Sequence, residues 1–165
     1  ALFDRAPDGL LRRQLALVLG RLEPRASRSR LGRHLVDVDL ARDGLLAALA
    51  RQGDPAARRR LRSLLADALG DRLPELLGLF RYVDRVEHAL DLLPVLERED
   101  VVQDLSTHRR RLQRRACDLA LDELLRLRPG ELSFGVRPIH EPYSYTELLE
   151  ARALLRGEAG EAAEG

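Results

Sequence analysis

The sequence predicts an all-α protein. The expected architecture is a compact bundle of five to seven helices with one long helix near 100–127, an irregular segment near 131–142 and a disordered acidic C-terminal tail. Three observations carry this. Apolar residues make up 45% of the 165 residues and are almost all Leu, Ala and Val, while aromatics reach only 4% and Ile139 is the sole isoleucine; Leu and Ala favour helix. Charged residues reach 33% and interleave with the leucines at three- and four-residue spacing, the pattern of amphipathic helices around a shared core. Gly, Pro and capping residues then punctuate the chain at helix-length intervals. A chain of this length fits one domain, so a single helical domain over 1–156 and a flexible tail over 157–165 are expected.

The first helix is predicted from Asp8 to Leu22, where Leu11, Leu15, Val18, Leu19 and Leu22 form one stripe; Glu23-Pro24 ends it, because proline disfavours helix in the residue before it. Residues 25–38 read as a short helix on Leu31, Leu35 and Val36 or as a basic connecting loop. Asp39 caps the next helix, which carries Leu45, Leu46 and Leu49, and Gly53 stands where a left-handed C-terminal cap falls. Asp54-Pro55 opens another at once, with Leu61, Leu64, Leu65, Ala68 and Leu69 ahead of Gly70. From Pro74 the stripe Leu76, Leu77, Phe80, Val83, Val86, Leu90, Leu93 predicts a helix kinked or ended at Pro94.

Val101, Leu105, Leu112, Ala116, Leu119 and Leu124 then predict the long helix, stopped by Pro129-Gly130. Prolines and a glycine around Phe134, Val136 and Ile139 predict the irregular segment. Ser144 and Glu147 form a capping-box signature for a last short helix.

Composition narrows the functional classes. One cysteine, Cys117, excludes an intramolecular disulfide and a multi-cysteine metal cluster, and no apolar run approaches the roughly 20 residues of a membrane span. The expectation is an intracellular, cytoplasmic chain with no membrane partner and no cofactor. All 28 basic residues are Arg, and Lys, Asn, Met and Trp are absent. A GC-rich genome accounts for that bias, so it is not itself a sign of phosphate recognition. Charge is blocked along the chain, about +6 over 21–62, −6 over 63–104, +5 over 105–117 and −5 over 118–165.

Asp84 with His88 and Asp104 with His108 are metal-ligand candidates, because four-residue spacing on a helix places carboxylate beside imidazole. The bland alternative, surface acid–imidazole pairs, outweighs it. His34 with Asp37, Asp39 and Asp43 lacks the glycine and terminal Glu of a calcium loop. Cys117 among Ala116, Leu119 and Ala120 reads as a core thiol. No serine elbow or glycine-rich phosphate loop has its structural context, so no catalytic residue is assigned.

Two arginine clusters carry the stronger signal, Arg58, Arg59, Arg60 and Arg62 on one predicted helix and Arg109, Arg110, Arg111, Arg114 and Arg115 on another, although consecutive arginines point around a helix. Arg58 and Arg62, and likewise Arg111 and Arg115, share a helix face by their spacing and are the candidate macromolecule-binding residues.

Arg42-Asp43, Leu45-Leu46, Leu49 and Gly53, followed by Leu61, Leu64 and Leu65, resemble the middle helices of death-effector-type domains, which are helical interaction modules. The Arg-x-Asp-Leu signature of those domains is replaced by Gly70-Asp71-Arg72-Leu73, and the resemblance covers about a quarter of the chain. Leucine spacing and a glycine turn do not assign the family.

The functional expectation is therefore a non-enzymatic protein–protein interaction module, an adaptor, scaffold or assembly subunit that uses charged helix faces toward a protein partner or a second copy. A nucleic-acid-binding protein using the arginine clusters is the alternative, and a metal-binding bundle ranks third.

Overall fold

A computed structural model describes residues 9–22, 39–106, 112–139 and 141–164. The described chain is mostly helical with one two-stranded sheet. The order is α1 (Gly9–Leu22), α2 (Asp39–Arg51), α3 (Pro55–Asp67), α4 (Arg72–Val83), a 3-10 helix (Val86–Leu92), α5 (Leu93–Leu96), β1 (Val101–Asp104), β2 (Gln113–Arg115), α6 (Ala116–Leu127) and α7 (Tyr145–Glu164). Packing divides the chain into two compact units, Ala1–Leu64 with Gly78–Asp84 and Leu65–Leu77 with Arg85–Gly165. The segment 25–38, including His34, lies outside the described residues.

In the first unit α2 is a core helix. Leu45, Leu46, Ala47, Ala48, Leu49 and Ala50 are all at most 4% exposed, so this part of α2 is buried on every side instead of along one stripe. Small residues let α1 approach it: a Cβ on Gly20 would meet Ala48, and one on Gly44 would meet Arg13. Tyr82 adds polar ties. Its hydroxyl donates to the Leu17 carbonyl at 2.5 Å, Arg51 donates to its own carbonyl, and the Arg21 and Arg51 guanidinium carbons stand 5.3 and 5.2 Å from its ring centre. Burial pushes the Tyr82 phenol up, against the opposing pull of Arg51 and Arg21.

The α2–α3 turn follows its sequence signals. Gly53 has φ +79°, its N–H donates to the Ala50 carbonyl, and the Asp54 N–H donates to that of Leu49. The Asp54 carboxylate accepts the Ala56 and Ala57 N–H groups at 3.0 and 2.9 Å, capping α3 ahead of Pro55.

Three expectations are corrected. The stripe from Pro74 to Leu93 is not one helix: α4 stops at Val83, Asp84 takes a left-handed conformation (φ +51°), and a 3-10 helix follows. Pro94 sits in the first turn of α5, where its missing N–H costs no hydrogen bond, and it neither kinks nor ends the earlier helix.

The long helix near 100–127 is also absent. Val101–Asp104 and Gln113–Arg115 are antiparallel strands that pair Val101 with Arg115, Gln103 with Arg114 and Asp104 with Gln113, with an irregularity at Val102, and among the described residues of this stretch only Ala116–Leu127 is helix. Between Leu105 and Ala116 the sequence offers Leu112 alone to a core, so a helix there would bury almost nothing, and helices in proteins are stabilised mainly by the face they bury. The strand pairing also serves α6: the Asp100 and Arg98 carbonyls accept the Ala116 and Cys117 N–H groups, which no intrahelical acceptor reaches.

After Gly157, where the sequence predicts a flexible tail, α7 continues as far as Glu164. Ala and Glu are good helix formers, and Glu158 is held by Arg128 through a two-point contact with one N···O distance of 2.8 Å. The expected irregular segment is present over 128–139 and 141–144. Ser144 and Glu147 form their capping box, the Ser144 N–H and hydroxyl donating to Glu147 at 2.7 and 2.8 Å.

The second unit is centred on α6. Ala116, Cys117, Ala120, Leu121 and Leu124 are fully buried, as are Leu148, Ala151 and Leu155 of α7. Arg152 closes α5 by donating to the Leu96 carbonyl at 2.9 and 2.7 Å.

Candidate interaction surface

Two groups of polar side chains stand out, and they differ in how they are used. The first lies in the second unit, around the buried Asp118. Asp118 is 0% exposed and accepts four hydrogen bonds, from the Arg115 N–H (3.1 Å), Nε (3.0 Å) and Nη2 (2.9 Å) and from the Tyr143 N–H (3.2 Å). One turn on, Asp122 accepts Arg114 Nη2 at 2.5 Å and the Tyr143 hydroxyl at 2.7 Å, and that hydroxyl accepts the Arg137 N–H at 3.2 Å. Arg137 pairs with Glu147 at 2.8 Å, and Ser133 donates to Glu150 through its N–H and hydroxyl, both at 2.6 Å.

The cluster fastens the irregular segment onto α6 and the start of α7, with Phe134 and Tyr143 rings 5.9 Å apart at a tilted angle. Burial and the Asp122 hydrogen bond hold the Tyr143 phenol far above its usual range. Burial pushes the neighbouring Cys117 thiol up to about 11, which keeps it protonated and poorly nucleophilic. Nothing in this arrangement resembles an activated nucleophile; its charges are spent on one another.

The second group is exposed on α3. Ala57, Leu61 and Leu65 form the buried stripe, and Arg59, Arg60, Arg62 and Ser63 face solvent on the opposite side, within about 160° of the helix circumference. Of the two α3 residues singled out by spacing, Arg62 lies on this face and Arg58 at its half-buried edge. Arg59 and Arg60 belong to the same arginine cluster but fall outside the four-residue pairing; counting round the helix from the buried Ala57, Leu61 and Leu65 places them on the solvent side.

Arg115 is engaged within the second unit. It lies at the end of β2, not on a helix, and is committed to Asp118 and to the Tyr143 carbonyl at 2.8 Å. Arg111 and His108 lie outside the described residues. The metal candidates lose their shared premise: Asp84 is the left-handed residue after α4, His88 is buried on the 3-10 helix, and Asp104 is on β1, accepting the Ser106 N–H at 2.9 Å and the Gln113 amide at 3.2 Å. Neither pair therefore stands on one α-helix. Among the described residues no three His, Cys, Asp or Glu side chains gather into a metal-binding group.

Charge separates between the units. Ala1–Leu64 with Gly78–Asp84 holds fifteen Arg against eight acidic residues, a formal +7; Leu65–Leu77 with Arg85–Gly165 holds thirteen against nineteen, a formal −6. In the second unit Arg98, Arg114, Arg115, Arg126, Arg128, Arg137, Arg152 and Arg156 all pair with its own carboxylates. Among the described helices none is long and apolar enough to cross a membrane.

Comparison of the chain with family models, with curated proteins and with solved structures finds no match.

Proposed function

We propose that this chain is a non-enzymatic helical interaction module whose α3 arginine face docks on an acidic protein surface. One observation carries the reading: Arg59, Arg60 and Arg62 are presented to solvent on one helix face, in a unit of formal charge +7. Guanidinium groups are planar forks that match carboxylates two bonds at a time, and a rigid helix fixes their spacing. The carboxylates of Asp118, Asp122 and Glu147 in the second unit are engaged by Arg115, Arg114 and Arg137, which stiffens that unit.

Fluorescence anisotropy with a labelled polyglutamate peptide, beside a DNA duplex of equal charge, tests the proposal. The peptide binds, and Arg59→Glu with Arg60→Glu weakens it roughly tenfold. Peptide binding that ignores these substitutions refutes the proposal. Much tighter DNA binding with a steep salt dependence replaces it with the nucleic-acid reading.

A further inference from the structure

We infer that the acidic surface recognised by the α3 arginines belongs to a second copy of this chain, at the α3–α4 turn. The inference rests on the reading of α3 as a docking face and names its partner. At that turn Leu69 is 72% exposed, and exposed Asp71 and Glu75 follow it, Asp71 beside Gly70 at φ +49°. Glu75 pairs with Arg72 at 2.8 Å, but the two side chains are 46% (Arg72) and 53% (Glu75) exposed, and such a surface pair exchanges readily for another partner. A protruding leucine beside carboxylates suits a basic partner: the leucine supplies apolar contact and the charges set orientation.

The matching basic face is on the same chain. Arg59 and Arg60 are exposed on α3, so one copy offers both halves of a complementary pair. The formal net charge of +1 removes the long-range repulsion that keeps strongly charged proteins apart. Because the two halves are different patches, the contact is head-to-tail, and copies add one after another unless the rotation closes a ring. Contacts of this kind between exposed charges are weak individually, so assembly is reversible and sensitive to salt.

Sedimentation of the full chain from ~10 μM to ~1 mM at low and high salt tests this. The average mass rises with concentration at low salt and returns to the monomer at high salt. Arg59→Glu/Arg60→Glu and Asp71→Arg/Glu75→Arg, both at exposed positions, each give a monomer alone, whereas an equal mixture of the two assembles because the reversed charges again face opposite ones. The neutral versions Arg59→Gln/Arg60→Gln and Asp71→Asn/Glu75→Gln also disperse the assembly, which serves where a reversal impairs folding. A wild-type monomer across the whole range, association that survives either variant, or a mixture that stays monomeric overturns the inference. Polyglutamate binding by a strictly monomeric chain overturns self-recognition alone and leaves the α3 docking face standing.

Discussion

Asp118 is the residue whose removal should tell most about how the second unit is held together. Replacing it with Ala strips the Arg115 guanidinium of its carboxylate, orphans the buried Tyr143 N–H and removes the capping box at the start of α6. Loss of a cap costs about 1 kcal/mol, an unsatisfied buried N–H about 1–3 kcal/mol, and a broken buried pair about 3–5 kcal/mol. These overlap, and the Arg115 side chain is 27% exposed and keeps the Tyr143 carbonyl as a partner, so we expect about 3 kcal/mol for Asp118→Ala. Asp118→Asn, which keeps the shape but turns amide hydrogens toward a ring of donors, should cost about 2 kcal/mol.

Urea unfolding followed by circular dichroism reads the difference. At an m-value of about 2 kcal/mol per molar, Asp118→Ala lowers the midpoint by ~1.5 M. A cycle with Arg115→Ala should show coupling above ~1 kcal/mol, because the two residues share most of their contacts. A loss below ~1 kcal/mol, or additivity within ~0.5 kcal/mol, would show that the buried cluster does not hold the irregular segment.

Glu147 sets a pH dependence. Burial alone would raise its carboxyl, but the Ser144 N–H, the Arg137 guanidinium and the Ser144 hydroxyl outweigh this and hold it below the ordinary 4.5. A folded-state value below the unfolded one means that its contribution is complete above about pH 4.5 and fades as pH falls through the depressed value. Unfolding midpoints between pH 6 and 3 should therefore drop more steeply for wild type than for Glu147→Gln, and equal slopes would contradict the sign. Glycine substitutions separate packing from propensity. On Gly20 a Cβ would lie 2.8 Å from Ala48 Cβ and nearer still to the Tyr82 hydroxyl, whereas Gly157 in α7 has nothing within 4 Å. Gly157→Ala should stabilise by about 0.5–1 kcal/mol through helix propensity. Gly20→Ala should destabilise by about 1 kcal/mol, its propensity gain outweighed by overpacking; thermal melts in which both shift upward would refute the close α1–α2 contact.

What was readable in advance depended on how far apart the deciding groups lie in the chain. Asp54-Pro55, Gly53, Gly70, Pro129-Gly130 and Ser144 with Glu147 act within four residues, and the structure places a helix end, a turn or a cap at each. The basic face on α3 was half legible, because Arg62 follows from local spacing but Arg59 and Arg60 need the buried side of the helix. The pairing of Arg115 with Asp118 and Tyr143 was not legible, since its helical spacing from Arg111 looked identical to that of Arg58 and Arg62. A periodic pattern reports the face a segment could bury, not whether a core exists to receive it.

By itself, then, the sequence determined the helical class and the caps and glycine turns, because local backbone preferences and short hydrogen bonds decide those. Only the tertiary structure decided that Val101–Asp104 pairs with Gln113–Arg115, that Leu45–Ala50 of α2 is buried all round, and that Arg98, Arg114, Arg115, Arg128 and Arg137 pair with carboxylates of their own unit while Arg59, Arg60 and Arg62 are exposed. These outcomes depend on partners brought together from distant parts of the chain, such as Tyr143 with Asp122 or Arg128 with Glu158, where burial and charge pairing override local preference.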